Sequence, residues 1–368
     1  ALIIHPTTNN LLVAITNENN TTGFDYCVVQ LNPTSLSPIG SPGIYDYTNL
    51  IEVALGIEID TGTGNVLLIG GSQSSAITCA YAVAIFDGTT LSYISDSRTD
   101  LVGTPYDQAL SYVKDNSNNL YITGKTLSGT TFNMKTVKIN ANYSIAWTRT
   151  VDVHGLDDIG NTIALDPTNG NVLVGGYATK TNNVKEMYHW RLNGSNGNII
   201  NSDFQAGEDN SGDAIIKKLC TNVSGDVYFI GGEKGKSGFN QVVVGKIRAN
   251  GKKSWQRKVS DNTKDILPSD IDVTTDGVFI ISVVDAAADS YLTDHYEEME
   301  LDTAKLNYGQ IKYKDGELIV RFKPSALNTS AINNSRKEFG SLSDFLTSTA
   351  NSAVLAAFDE FNICSGVE

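Results

Sequence analysis

Soft and readily titrating side chains are scarce in this chain of 368 residues, which has four cysteines, four histidines and three methionines. Cys27, Cys79, Cys220 and Cys364 are too few for a disulfide framework. No two stand at CxxC spacing, so zinc-ribbon and thioredoxin-like chemistry is excluded, and each is expected to be a small buried apolar residue or an unpaired thiol. His5, His154, His189 and His295 fall at unrelated places. Cations are also short. There are 27 Lys and Arg against 41 Asp and Glu, a net charge of −14, which excludes electrostatic nucleic-acid binding and disfavours anionic membrane surfaces. The longest apolar run, Val278 to Val284, is far below the ~20 residues of a membrane-spanning helix. HExxH, GxSxG, Walker and G-x-G-x-x-G motifs are absent, as is the S-x-D-x-G-x-T-W box. The chain starts at Ala1 without a secretory leader, so a processed chain or a piece of a longer one is expected.

What the sequence does have is glycine, 33 residues, with many Asn, Ser and Thr, and 40% hydrophobic residues. That is a turn-rich, all-β composition with enough apolar side chains for a core. One pattern recurs: a turn residue, a short β-branched or apolar run, and often a Gly. Its copies start at Asn10, Asn65, Asn119, Asn171, Asp226 and Gly277, at intervals of 55, 54, 52, 55 and 51 residues. A second apolar run ends about 21 residues after each start, at Leu31, Phe86, Ile139, Leu192, Ile247 and, more loosely, Leu301. A third β-rich point follows at Tyr93, Trp147, Ile199 and Trp255. A further strand precedes the start, as in Ala54–Ile59, Ala109–Val113, Asn161–Leu165 and Ala214–Leu219. Four short strands per unit, repeated six times, predict a β-propeller, in which each sheet hides its faces against its neighbours.

The stretch Asp157-Asp158-Ile-Gly-Asn-Thr-Ile-Ala-Leu-Asp166-Pro-Thr-Asn-Gly-Asn171-Val-Leu-Val-Gly-Gly176 resembles the bacterial seven-bladed β-propeller (SBBP-type) repeat. The resemblance extends over roughly residues 1–310. It departs in blade number, since six units are countable here and seven would need a further one, and in the longer loop Asp285–His295. The resemblance implies the fold and an exported, often surface-associated protein, with no single activity. From residue 311 the repeat stops. Asp315 to Phe322 reads as turn and strand, and Pro324 ends it. Ser341-Leu-Ser-Asp344 is similar to a helix-capping box, and Ala350, Ala353, Val354, Ala357, Phe358 and Phe361 form one apolar helical stripe. Residues 311–368 are thus expected to form a small α/β appendage, similar to lead-in regions of large secreted Bacteroidetes proteins, some of them protease precursors.

The carboxylates cluster. In a propeller the loops between blades share one end of the strands with the loops joining second and third strands. Taking the inter-blade loops as 40–49, 95–107, 152–160, 203–213 and 260–270, these 54 residues hold 14 acids and two cations, Arg98 and Lys264. An even spread of 41 acids would place about six there, so one face is expected to be strongly negative. Within it Glu52, Asp107, Asp158, Asp213 and Asp265 recur 12 or 13 residues before the repeat starts, at the beginning of the innermost strand. Two readings follow. The five line the channel mouth and take a hard cation such as Ca²⁺ or a basic or polyhydroxylated ligand, or each accepts backbone N–H groups in its own turn.

No catalytic residues are assigned and no resident cofactor is expected, Ca²⁺ apart. The function these features favour is a non-catalytic, exported or cell-surface module that binds a protein or glycan partner through its acidic loop face, without nucleic acid or membrane insertion. Two alternatives are a polysaccharide hydrolase or lyase using loop carboxylates, and a spacer within a larger secreted protease precursor or secretion substrate.

Overall fold

The computed structural model describes residues 1–19, 23–47, 51–75, 78–99, 106–205, 212–259, 265–273, 279–285, 310–314 and 317–321. These residues are all β, with no helix among them. Helices long and apolar enough to cross a membrane are likewise absent among the described residues. The chain divides into two compact units, Ala1–Leu165 with Asn169–Gln205, and Asp166–Thr168 with Ala206–Glu368.

The first unit holds four antiparallel four-stranded sheets, each a meander of consecutive strands. They are β1 (Leu2–Ile4), β2 (Leu11–Asn19), β3 (Gly23–Leu31) and β4 (Gly43–Tyr45); β5 (Glu52–Ile59), β6 (Val66–Ser75), β7 (Thr78–Phe86) and β8 (Tyr93–Arg98); β9 (Asp107–Lys114), β10 (Leu120–Ser128), β11 (Thr131–Ile139) and β12 (Ile145–Val151); and β13 (Asp158–Leu165), β14 (Val172–Thr179), β15 (Lys185–Leu192) and β16 (Ile199–Gln205). The second unit holds a fifth such sheet, β17 (Ala214–Thr221), β18 (Val227–Lys234), β19 (Asn240–Ile247) and β20 (Lys253–Val259). It also holds the pair β21 (Ile266–Val273) and β22 (Phe279–Asp285), where the sixth repeat falls, and a hairpin of β23 (Gln310–Lys314) and β24 (Glu317–Arg321). The expected helix over 341–361, with Leu301 and the loop Asp285–His295 apart from its first residue, lies outside the described residues.

The repeat marks strand ends closely. Leu31, Phe86, Ile139, Leu192 and Ile247 are the last residues of β3, β7, β11, β15 and β19. Val66, Leu67, Leu68 and Ile69 show no polar alternation because both faces of β6 are covered, and all four are fully buried. Val66 and Leu68 pack with Leu12, Tyr26, Val28 and Phe86 against the first sheet. Leu67 and Ile69 pack with Tyr81, Ile122 and Val137 against the third. Trp190, Val172 and Val174 pack with Tyr121 and Trp147 between the third and fourth. Within the second unit Ile230, Val242 and Val244 meet Ile266 and Ile271. Each such side chain contributes about 1.5–3 kcal/mol of burial that a lone sheet would forfeit on one face, so the sheets stabilise one another as a stack.

The recurring Gly has a steric cause. In β5, β9, β13, β17 and β21 the register with the next strand slips by one residue, a β-bulge. Opposite the bulge the backbones come close. A Cβ on Gly70 would lie 2.1 Å from the Val53 carbonyl oxygen, on Gly124 1.9 Å from that of Gln108, and on Gly176 1.8 Å from that of Ile159. Any side chain there must push a strand aside. The turns before the second strands are built as the Asp and Gly signals predict. Asp60 Oδ1 accepts the Gly62 N–H at 2.8 Å, Asp166 Oδ1 accepts the Thr168 N–H at 3.0 Å, and Gly64 and Gly170 take φ of 79° and 69°.

Candidate functional site

The five recurring acids fall into two classes. Glu52, Asp107 and Asp158 open β5, β9 and β13, and all three are fully buried. Asp213 and Asp265 instead precede β17 and β21, and the strand-opening places there belong to buried Ala214 and Ile266. The backbone identifies the offset. The carbonyls of Ile51, Tyr106, Asp157 and Asp213 accept N–H groups from Gln73, Leu127, Thr179 and Lys234, so Asp213 matches Asp157 and not Asp158. Asp265 Oδ1 accepts the Asn240 N–H at 2.5 Å, as Asp157 Oδ1 accepts that of Phe132 at 2.8 Å. One residue along a strand reverses the face, so Asp213 is exposed and Asp265 half-buried. The sequence alignment of five equivalent acids is corrected to three, with two more one residue out of step.

The three buried acids also differ from one another. Asp107 Oδ2 forms an ion pair with Lys135, itself only 7% exposed, and accepts the Thr99 hydroxyl at 3.2 Å. Asp158 Oδ2 accepts the Val153 N–H at 2.5 Å, tying down the chain that enters its sheet. Burial lifts the Asp158 carboxyl to about 6, against the lowering pull of the Val153 hydrogen bond, and Asp152 and Asp157 add to the rise. These two acids therefore have structural partners, a buried pair and a loop cap. In the fifth sheet the acid moves across the ladder. Buried Glu233 faces Ala214, accepts from Gln241 at 2.6 Å and pairs with Lys258.

Glu52 stands in a different setting. The Ser72 hydroxyl donates to its Oε1 at 2.9 Å, while its Oε2 is buried with no hydrogen-bond partner. Burial lifts this carboxyl to about 7, countered by the Ser72 bond, with Asp46 and Asp25 pushing further up and Arg98 pulling down. A parallel bridge between Phe24 and Ile51 fixes the start of β3 beside the start of β5, which brings Asp25 to Glu52, and Asp46 follows directly on β4. Carboxylate oxygens of Asp25, Asp46 and Glu52 lie within 4.8 Å of one another. Asp25 is buried and Asp46 exposed. Among the described residues no other such trio of His, Cys, Asp or Glu comes together, and neither Asp107 nor Asp158 belongs to this one. Asp25 carries no repeat signature. It is legible only as an acid between Phe24 and Tyr26 at the start of a strand.

Aromatic side chains border this corner. Tyr47 stacks on Tyr45 with ring centroids 6.4 Å apart, and Tyr45 lies 5.5 Å from Tyr93. The Arg98 guanidinium sits 3.7 Å over the Tyr47 ring and donates to the Ser72 carbonyl at 3.2 Å, to the Ser72 hydroxyl, and to the Tyr45 hydroxyl at 3.3 Å. Tyr47 and Tyr93 are each 46% exposed, and Phe24, Ile51 and Val53, which flank Asp25 and Glu52 in the chain, are exposed as well. The uniformly negative face expected from the loops is divided further along the unit, where Lys180 pairs with Glu186 and Lys135 with Asp107. These lysines come from the second-to-third-strand loops and from strand interiors.

Histidines take structural places. His5 Nδ1 accepts the N–H groups of Thr7 and Thr8, both at 3.3 Å. Burial holds His189 down to about 4, hence neutral. His154 Nε2 lies 3.9 Å from Glu186, and His295 is outside the described residues. Cys27 and Cys79 are buried and Cys220 half-buried, with no disulfide among the described residues, and Cys364 lies outside them.

No family model matches this chain, and no curated protein does. Among solved structures it is similar to the Dos1 propeller, at 13% identity and a TM-score of 0.51, over 77% of this chain and 64% of that one. It thus covers less than two thirds of that protein's length. Other matches are the polysaccharide lyase Uly1, at 8% identity and a TM-score of 0.41 over 88% of this chain and 85% of that one, and a DUF4221 family member from Bacteroides vulgatus. The latter shares 8% identity at a TM-score of 0.36, over 77% of this chain and 86% of that one. The likeness to the Dos1 propeller, together with five four-stranded meanders, makes this chain a β-propeller.

Proposed function

We propose that this propeller is a non-catalytic binding module, exported or carried on a cell surface, that takes a protein or glycan partner at the loop end shared by its first two sheets. The observation that carries this reading is the grouping of half-exposed Tyr47 and Tyr93 around Arg98, beside the carboxylates of Asp25, Asp46 and Glu52. Tyrosine and arginine are the side chains enriched at binding surfaces, because each offers a large apolar body with a polar end. Unlike Asp107 and Asp158, Asp46 is exposed for a ligand to touch. The site in this reading is a corner of the molecule and not a ring of five acids. The test is a glycan array together with binding to intact cell surfaces, comparing the full chain with a Tyr47→Ala/Asp46→Asn variant. Loss of binding at a melting temperature unchanged in chelator supports the reading, and unchanged binding removes it.

Glu52, lifted to about 7 beside two other carboxylates, favours a second reading as a polysaccharide hydrolase or lyase, since an acid catalyst needs such a carboxyl. Glu52 is fully buried, and a general acid must touch the leaving group, which ranks this reading second. Release of reducing ends from a polysaccharide panel, abolished in Glu52→Gln, would establish it.

A further inference from the structure

We infer that Asp25, Asp46 and Glu52 form a binding site for one hard divalent cation, Ca²⁺, between the first and second sheets. Three features of the chain converge on it. The first is geometry. Two oxygens bound to the same ion stand at most twice the metal–oxygen distance apart, and with Ca²⁺–oxygen distances of about 2.4 Å that limit is about 4.8 Å. The three carboxylates already meet it. Mg²⁺, at about 2.1 Å and with stricter octahedral demands, would need a tighter cluster.

The second feature is the unmet oxygen. Glu52 is fully buried, Ser72 serves its Oε1, and Oε2 has no donor. A buried carboxylate oxygen without a partner is costly, and the carboxylates nearest to Glu52 Oε2 offer it further acceptors and no donor, so in its charged form it calls for a cation. The corresponding acids in the third and fourth sheets also keep one buried oxygen without a hydrogen bond, but their other oxygen has a cation or an N–H, Lys135 for Asp107 and Val153 for Asp158, where Glu52 has only a neutral hydroxyl and two carboxylates beside it. In the second sheet, Arg98 reaches Glu52 through the Ser72 hydroxyl.

The third feature is donor chemistry and charge. The cluster is all oxygen, without His or Cys, which suits a hard ion. Three carboxylates and Arg98 leave two negative charges, which one divalent cation cancels. Asp46, exposed at the rim, gives the ion its way in from solvent, while Asp25 and Glu52 hold it from beneath. The inference deepens the binding reading above, because the ion would sit in the same corner and fix Asp46, next to Tyr47, for a partner.

The experiment uses the full chain, stripped with chelator and titrated with Ca²⁺ and Mg²⁺ by calorimetry, with melting temperature as a second readout. One saturable Ca²⁺ site per chain is expected, with a dissociation constant on the order of 10⁻⁴–10⁻³ M as in extracellular modules, and a higher melting temperature in Ca²⁺ than in chelator. Asp46→Asn should weaken it at least tenfold without altering the melting temperature in chelator. Glu52→Gln should abolish it, while Asp158→Asn leaves it intact. Absence of saturable binding at millimolar Ca²⁺, tighter binding of Mg²⁺, or binding indifferent to Asp46→Asn each overturns the inference. Running the glycan and cell-surface assays with and without chelator separates the two readings. Partner binding without a Ca²⁺ site removes only the ion, and a Ca²⁺ site without partner binding removes only the module.

Discussion

Replacing Asp158 by Asn should remove a fall in stability that this carboxyl imposes as pH rises from about 4 to about 6. Asp158 is fully buried at the start of β13 and is held at about 6, largely by burial, with Asp152 and Asp157 nearby. In the unfolded chain it titrates near 3.8. A carboxyl raised on folding binds its proton more tightly in the native state. Below about pH 4 it is protonated in both states and costs nothing. Between about pH 4 and pH 6 the unfolded chain ionises first and stability falls as pH rises. Above about pH 6 both states are ionised and the full penalty persists. A displacement of about two pH units corresponds to about 3 kcal/mol, and partial screening brings the expected effect to about 1–3 kcal/mol. Asn keeps an oxygen for the Val153 N–H and removes the charge. Melting curves of both proteins at pH 4.5 and pH 7.5 should then show Asp158→Asn more stable at pH 7.5, with the difference shrinking or reversing at pH 4.5. A variant that parallels the wild type at both pH values, or is less stable at pH 7.5 alone, would refute the burial argument.

Other substitutions probe the frame. Gly70→Ala should lower stability by about 2 kcal/mol or more, because its Cβ meets the Val53 carbonyl oxygen at 2.1 Å, and chemical or thermal melts will read this. Lys135→Met should cost about 3–5 kcal/mol by stranding Asp107, and adding Asp107→Leu should recover much of it, a double-mutant cycle that distinguishes a stranded charge from lost packing. Trp190→Ala should cost about 3–5 kcal/mol, since its side chain fills the stack between the third and fourth sheets.

Much of the frame was legible because a stacked sheet leaves a regular trace. Strand ends such as Phe86 and Ile139 follow from apolar runs of constant spacing, and Asp60 and Asp166 announce their turns. The Gly after each run was visible, while its reason, the bulge in the facing strand, was not. A bulge inserts one residue without changing composition. Turn length displaced the acid alignment, since the turn between β17 and β18 is one residue shorter than that between β13 and β14. Asp213 sits at the right distance from Asp226 in sequence, yet the ladder places Ala214 where Glu52, Asp107 and Asp158 stand. A shift of one residue turns a buried carboxylate into an exposed one. Loop counting also overstated the negative face, because Lys135 and Lys180 reach it from outside the inter-blade segments. Asp25 was hidden for the opposite reason. It belongs to one sheet only, so repetition could not mark it, and its meeting with Asp46 and Glu52 depends on the bridge between Phe24 and Ile51.

The most direct measurement is the binding of the full chain to glycan arrays and intact cell surfaces, compared across two variants. One is Tyr47→Ala/Asp46→Asn, at the corner of the first two sheets. The other is Val223→Ser, at an exposed turn between β17 and β18, the opposite end of its own sheet. The account predicts binding lost in the first and kept in the second, with both melting as the wild type does in chelator. Equal binding by all three proteins, or loss in Val223→Ser alone, would contradict it.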